Sequence, residues 1–169
     1  EVSTVYDESI DYLAHLRAKQ VDFKFDDDTD SLVTERLAQA YRRIQDEEQA
    51  RKTYLDYVAR NQLSRVSPRF MSSVISSYMS EDKGEKAQDI RYRFISALGP
   101  RSVFWTKHKE DVDATVEASD LYESHLLASA AYYGQRAKEK KQKTDYDQAV
   151  AYYRKFLNEH AYSPLRVQA

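Results

Sequence analysis

The sequence predicts an all-α fold in which antiparallel helical hairpins follow one another along the chain. The 169 residues include only three Gly and three Pro, whereas sandwiches, barrels and doubly wound α/β sheets depend on many glycine- and proline-rich turns. Apolar residues recur at helical spacing along most of the chain, between short polar turns. The hydrophobic fraction of 41% is enough for a core, which argues against general disorder.

Local signals place the ends of these helices. Ser67-Pro68 is a typical helix start, because Ser can cap the free N–H groups and Pro is tolerated in the first turn. Gly99-Pro100 is a typical helix end. Four of the predicted helices cover residues 4–20, 31–43, about 47–61 and about 111–140. Three others are placed by one end: one begins at Ser67, one ends before Gly99 and one begins at Thr144. Val103-Phe104-Trp105 is interpreted as part of a connector.

The buried faces follow from the spacing of apolar residues at i, i+3, i+4 and i+7. In the second helix the predicted buried face is Leu32, Leu37, Ala38, Tyr41 and Ile44. In the long helix it is Val116, Tyr122, Leu126, Ala130, Tyr133 and Ala137. We expect the alanines to lie where two helices cross closely and the tyrosines to fill the space between hairpins.

The best repeat unit begins at Ser31. Leu37, Ala38, Tyr41, Ala50 and Tyr54 have the spacing of the tetratricopeptide consensus, and the chain resembles that family. The resemblance implies a short, right-handed solenoid over residues 1–169. It contains a partial repeat at 1–25, repeats at 31–64 and 65–102, and an elongated, degenerate repeat at 111–162. Because the chain opens in half a repeat and closes on the helix-start signal Ser163-Pro164, we expect it to be a piece of a longer chain.

The last hairpin indicates a more specific relationship. Residues 147–157, with Ala149 and Phe156-Leu157, followed by Tyr162-Ser163-Pro164, resemble a bacterial subtype found in Tol–Pal coordinator proteins and outer-membrane assembly lipoproteins. That resemblance implies a bacterial protein in the periplasm or associated with the outer membrane. No apolar run reaches membrane-spanning length. Any membrane contact is therefore expected to be peripheral.

Composition and motifs argue against several function classes. The 26 basic and 28 acidic residues give a net charge of −2, unlike the basic excess of nucleic-acid binders. With no Cys, disulfides, thiolate metal sites and a Cys nucleophile are excluded. The run Asp26, Asp28, Asp30 alternates like a calcium loop, but lacks the loop's Gly and closing Glu. We interpret it as an N-cap for the second helix.

No constellation for catalysis or metal binding stands out. The four histidines, His15, His108, His125 and His160, have no i, i+4 pair, and no nucleophile elbow surrounds the serines at 72–77. The sequence therefore predicts no catalytic residue, no metal site, no cofactor and no small-molecule substrate. The expected activity is binding of a protein or peptide partner. A structural spacer within a larger, multi-domain or envelope assembly protein is the alternative.

The family resemblance also implies which residues contact the partner, because the first helices of the hairpins line the groove. Carried over by position, they are Glu35, Gln39, Arg42, Arg43, Arg69, Ser73, Ser76 and Ser77. The arginines would meet carboxylates of the partner. Replacing Arg42 and Arg69 with alanine is expected to weaken partner binding and leave the thermal melt unchanged. A pull-down with the isolated chain distinguishes the two functions, because a scaffold is expected to capture a partner by itself and a spacer is not.

Overall fold

The computed structural model describes residues 2–19 and 25–160, which form eight helices and no strand. The all-α prediction is confirmed. The helices are α1 (Val2–Lys19), α2 (Asp27–Arg43), α3 (Glu47–Arg60), α4 (Ser67–Ser80), α5 (Gly84–Ala97), α6 (Val103–Lys107), α7 (Val112–Lys140) and α8 (Lys143–Glu159). Within these residues every helix is too short or too polar to span a bilayer. The predicted helix start at Ser163-Pro164 lies outside the described residues.

All seven predicted helices are present, and the structure differs from the prediction in four places. Residues 103–107 form the short helix α6 and not an irregular connector, since Phe104 is buried and Trp105 donates from Nε1 to the Leu98 carbonyl at 3.1 Å. Helix α4 starts at Ser67 as expected, but the Ser67 hydroxyl donates to the Asn61 carbonyl at 2.6 Å and does not cap α4. Helix α2 begins at Asp27, four residues before the predicted start at Ser31, and helix α8 begins one residue before Thr144.

The chain divides into two compact units, Glu1–Ser77 and Tyr78–Ala169, and the division falls inside α4. In the first unit α2 and α3 are antiparallel, because Arg42 meets Glu47 at one end and Asp30 meets Arg60 at the other. The first part of α4 packs antiparallel to α3, where the Tyr54 and Phe70 ring centroids are 4.7 Å apart. Helix α1 covers α2 through Ile10, which packs with Leu37 and Ala40.

The second unit is built around the long helix α7. Helix α5 is antiparallel to α7, where Gln88 Nε2 donates to Ser129 Oγ at 3.0 Å and Phe94 meets His125. Helix α8 returns along α7 in the opposite direction. At one end of that hairpin the Tyr122 hydroxyl donates to Glu159 at 2.8 Å. At the other end the Arg136 guanidinium contacts the buried carboxylate of Asp145 through two nitrogens and holds its pKa below the usual range.

One pattern of small and aromatic residues recurs in three helices. An alanine and an aromatic residue seven positions later are both buried in each: Ala50 and Tyr57 in α3, Ala87 and Phe94 in α5, and Ala149 and Phe156 in α8. Two helical turns separate the members of each pair, so both lie on the same face. Each of these helices therefore places a small residue at one level of its buried face and a large ring at another.

The turns after α2 and α4 share one backbone geometry. Gln45 and Asp82 each have a left-handed conformation, with φ of 64° and 56°. After α2, the Gln45 N–H donates to the Arg42 carbonyl and the Asp46 N–H donates to the Tyr41 carbonyl. After α4, Asp82 and Lys83 donate to Met79 and Tyr78 in the same pattern. Both are Schellman turns without glycine, so carbonyls at the ends of both helices are satisfied.

Three predicted core residues are exposed: Leu32, Val116 and Ile44, the last of which is the C-cap residue of α2 and 37% exposed. Leu32 and Val116 are 54% and 53% exposed, whereas Thr34 and Ala118, two positions further along each helix, are fully or almost fully buried. Two positions rotate a side chain by about 200° around a helix. In both helices a small residue occupies the inner face, and the larger aliphatic side chain lies outside.

Candidate partner-binding surface

All of the residues predicted to contact a partner lie in the first unit, on α2 and α4. The structure separates them into two groups. One group lies along the contacts of α4 with α2 and α3 and comprises Glu35, Arg42, Arg69, Ser73 and Ser77. Gln39 and Arg43 line a cavity between α1 and α2. Ser76 is exposed on α4, on the same helix face as Arg69 and Ser73.

Arg42 is the centre of the first group. Its Nε lies 3.6 Å from Glu47 Oε2, and its Nη2 donates to the Ser73 carbonyl at 3.4 Å. The guanidinium also lies over the Tyr54 ring, 5.4 Å from its centroid. One side chain thereby bridges α2, α3 and α4. Its charge is largely balanced within the protein, so Arg42 stabilises the unit.

Glu47 connects Arg42 to a buried pair of polar residues. The Ser77 hydroxyl donates to Glu47 Oε2 at 2.7 Å and accepts from Arg51 Nη1 at 2.8 Å. Arg51 and Ser77 are only 5% and 6% exposed. Ser77 therefore positions Glu47 and Arg51, and contributes little surface of its own to a partner.

Arg69 and Glu35 form the exposed end of the first group. The Arg69 guanidinium lies 3.5 Å from Glu35 Oε2, and the two side chains are 45% and 35% exposed. Exposed ion pairs of this kind contribute about 0–1 kcal/mol, since water screens both charges. A partner can thus exchange its own charged groups with this pair at small cost. Of the two arginines in this group, Arg69 has the more exposed side chain.

The aromatic residues beneath this surface are uncharged. Burial raises the pKa of Tyr54 above its ordinary value, and the nearby Arg42 opposes the rise without cancelling it. Burial also raises the pKa of Tyr57, whose hydroxyl donates to Asp27 and contacts Ser64 Oγ at 2.7 Å. Both rings pack against Phe70. They supply a rigid support for the charged residues above them.

The acidic run at the start of α2 is used within the fold. The acidic run supplies an N-cap for α2, as predicted: Asp26 accepts a hydrogen bond from the Thr29 N–H at 2.7 Å. The rest of the run was expected in a solvated turn before the helix, but Asp27, Asp28 and Asp30 lie in the first turn of α2. Asp30 is 3% exposed and accepts from Asn61 Nδ2 at 2.8 Å. In the part of the chain that the structure describes, no three acidic or histidine side chains form a group that could hold a metal ion.

The second group belongs to a cavity of about 320 Å³ between α1 and α2. It is lined by Ser9, Tyr12, Leu13, Arg36, Gln39, Ala40 and Arg43. The repeat pattern pointed to Gln39 and Arg43 but not to Arg36, because the repeat consensus places a different face of α2 in the groove. Arg36, Gln39 and Arg43 have the i, i+3, i+7 spacing of a single helix face, and that spacing is the sequence signal for Arg36.

Comparisons with known proteins identify no relative. No family model matches the chain, and no curated protein or solved structure matches it either. The function is therefore inferred from the side-chain geometry of the first unit.

Proposed function

We propose that the chain is a non-enzymatic scaffold that binds a peptide or protein partner on the surface formed by α2 and α4. The observation that carries the proposal is the parallel arrangement of these helices: Glu35 pairs with Arg69, and Arg42 with the backbone of Ser73. When the first helices of successive hairpins lie side by side, they form one continuous surface. Here that surface carries cations, carboxylates and hydroxyls over an aromatic support.

A tetratricopeptide-like, right-handed solenoid is the finer architecture we propose. Three features support it: the alanine–aromatic pairs in α3, α5 and α8, the matching turns after α2 and α4, and the parallel contact of α2 with α4. Each recurs at the level of a hairpin, as expected when one structural unit is repeated. The partner in this proposal is a protein or peptide, not a nucleic acid or a small substrate. The proposed location remains the bacterial envelope, from the resemblance of residues 147–157.

Peptide selection tests this proposal for a partner of any sequence. A random-peptide phage library, selected on the immobilised chain, is expected to yield a reproducible consensus. Replacing Arg42 and Arg69 with alanine is expected to weaken binding of the consensus peptide about tenfold or more, because charge-assisted contacts are lost. Fluorescence polarisation with the synthetic peptide measures the change.

The matched control replaces Arg93 and Arg101, two exposed arginines of the second unit, with alanine. It removes the same charge, so it separates a specific contact from general electrostatic attraction. Equal affinities for the Arg42/Arg69 variant and the wild type would contradict the proposed surface. Failure to select any consensus would favour the structural spacer.

Arg42 also contributes to stability, so we no longer expect the unchanged thermal melt that the sequence predicted for its replacement. Arg42→Ala is expected to lower the free energy of unfolding by about 1–2 kcal/mol, since it removes a cation–π contact, an ion pair and a hydrogen bond that join three helices. Arg69→Ala is expected to cost less than about 1 kcal/mol, as its pair with Glu35 is exposed. Urea unfolding followed by circular dichroism measures both, and equal losses would contradict the bridging role of Arg42.

A further inference from the structure

Arg91, on α5 in the second unit, is a buried cation without a counter-charge. It is 7% exposed, and it forms no hydrogen bond or ion pair with any residue that the structure describes. The other three buried Asp and Arg side chains each have a partner: Asp30 accepts from Asn61, Arg51 donates to Ser77, and Asp145 pairs with Arg136. Burial lowers the pKa of Arg91, but a guanidinium stays protonated in a protein, so the charge remains.

The neighbours of Arg91 on α7 do not neutralise this charge. His125 and Tyr132, seven residues apart on one face of α7, both interact electrostatically with Arg91. Burial and the charge of Arg91 lower the pKa of His125 to about 4, so this imidazole is neutral at pH 7. On the same face Ser129 accepts a hydrogen bond from Gln88. Helix α7 therefore presents an imidazole and hydroxyl groups to Arg91, and no carboxylate.

The guanidinium of Arg91 is accessible at the edge of the contact between α5 and α7. Its Nε is fully buried, whereas the two terminal nitrogens, which also lack a partner among the described residues, keep some contact with solvent. Ala128 lies on the same face of α7, three residues after His125 and four before Tyr132, and is partly exposed. Because its side chain is a single methyl group, it leaves room for a ligand oxygen to reach the terminal nitrogens.

The charge at this place favours a carboxylate as the ligand. Arg136, the other arginine close to Tyr132, is already paired with Asp145, so the uncompensated charge is that of Arg91 alone. A carboxylate brings one negative charge, and its two oxygens match the two terminal nitrogens of a guanidinium. A phosphoryl group carries about −1.5 to −2 charges at pH 7, and part of that charge would be desolvated here without a cation.

We propose that Arg91 binds a carboxylate supplied from outside the chain. The two terminal nitrogens donate hydrogen bonds to the two carboxylate oxygens, and the ligand provides the counter-charge that the second unit itself does not supply. An acidic side chain of a partner protein and a free organic acid both present this group. The site goes beyond the proposed scaffold function and does not depend on the surface formed by α2 and α4.

NMR titration of the full chain with sodium acetate tests this site, with sodium chloride at the same ionic strength as the reference. Acetate is expected to cause saturable shifts of the Arg91 Nε–H resonance and of the amide resonances of residues 88–94 and 125–132. Arg91→Met is expected to weaken acetate binding at least about tenfold, since the paired hydrogen bonds are lost. Arg93→Met, at an exposed arginine of the same helix, is the matched control and is expected to stay within about twofold.

Thermal melts followed by circular dichroism separate a binding role of Arg91 from a structural one. In sodium chloride Arg91→Met is expected to melt at the wild-type temperature or up to about 4 °C above it, because an unbranched apolar side chain replaces a lone buried charge. Arg91→Lys is the second variant. It keeps the charge but not the paired donors, so it is expected to remain folded and to bind acetate more weakly than the wild type.

A free organic acid and an acidic side chain are distinguished with the peptide acetyl-Ala-Glu-Ala-amide, with its Gln counterpart as control. Binding of the Glu peptide at least about tenfold tighter than acetate assigns the site to a protein partner, and binding no tighter than acetate assigns it to a small organic acid.

Four results would overturn the carboxylate site: shifts that do not saturate, unchanged acetate affinity of Arg91→Met, a melting temperature of Arg91→Met more than about 4 °C below that of the wild type, or binding of inorganic phosphate about tenfold tighter than acetate. None of these measurements involves Arg42 or Arg69. Loss of the Arg91 site therefore leaves the scaffold proposal intact, and failure of the phage selection leaves the Arg91 site intact.

Discussion

Replacing Phe94 with alanine is expected to lower the free energy of unfolding by about 3–5 kcal/mol. Phe94 is fully buried in α5, and its ring meets His125 of α7 edge-on at a centroid distance of 4.7 Å. The substitution removes apolar contact between α5 and α7 and leaves a cavity that the surrounding helices fill only in part. Urea unfolding at neutral pH, followed by circular dichroism, measures the loss.

Tyr92 provides the matched control. It lies two residues earlier on the same helix but is 64% exposed. Tyr92→Ala removes an aromatic ring of similar size and is expected to change stability by less than about 0.5 kcal/mol. Phe94→Leu, which keeps most of the buried volume, is expected to fall between the two. A loss for Phe94→Ala no larger than that for Tyr92→Ala would contradict the packing of α5 on α7.

Lowering the pH from 7 to 5 is expected to destabilise the protein by about 2 kcal/mol through His125 alone. Burial lowers the pKa of His125 from its ordinary value of 6.5 to about 4, and the nearby Arg91 also acts to lower it. The folded protein therefore keeps this imidazole neutral at pH 5, where an unfolded chain protonates it. The unfolded state binds more protons than the folded state in this range. The contribution of the neutral His125 imidazole to the free energy of unfolding is therefore complete above about pH 6.5 and is lost as the pH falls towards 4.

The surroundings of His125 explain why its pKa is lowered. Its side chain packs against the Phe94 ring and is 7% exposed. Arg91 is also 7% exposed, and its Nε has no hydrogen-bond partner among the described residues. A second positive charge here would be buried next to an existing one with little water to screen it.

Unfolding free energies of the wild type and of His125→Gln, measured from pH 7 to pH 5, test this expectation. The variant should lose about 2 kcal/mol less than the wild type over this range, since carboxylates contribute equally to both proteins. His15→Gln, in the exposed surface of α1, should retain the wild-type dependence. Parallel pH curves for the wild type and His125→Gln would show that the imidazole is not held neutral by the core.

The sequence predicted the helices well because helix formation depends on near neighbours. The N-cap at Asp26 accepts from an N–H three residues away, and α4 begins at the predicted Ser67. The inner faces were predicted less well. Leu32 resembled a core residue in its hydrophobicity, yet the face of α2 at Thr34 is the one that its neighbours cover. Hydrophobic spacing gives the period of a helix, whereas the direction of burial depends on which helices surround it.

What the sequence determined by itself was the helical class, the order of the helices and part of the alanine and aromatic core, including Ala50, Ala87 and Phe94. Only the tertiary structure decided how the charges of α2 are used. Arg42 is joined to a backbone carbonyl 31 residues away, while Arg36 and Arg43 line a cavity against α1. Local spacing places Arg36 and Arg43 on one face of α2 and Arg42 on an adjacent one, but it does not show which helix packs against each face. Their roles differ because different helices pack against adjacent faces of α2, and those contacts exist only once the chain is folded.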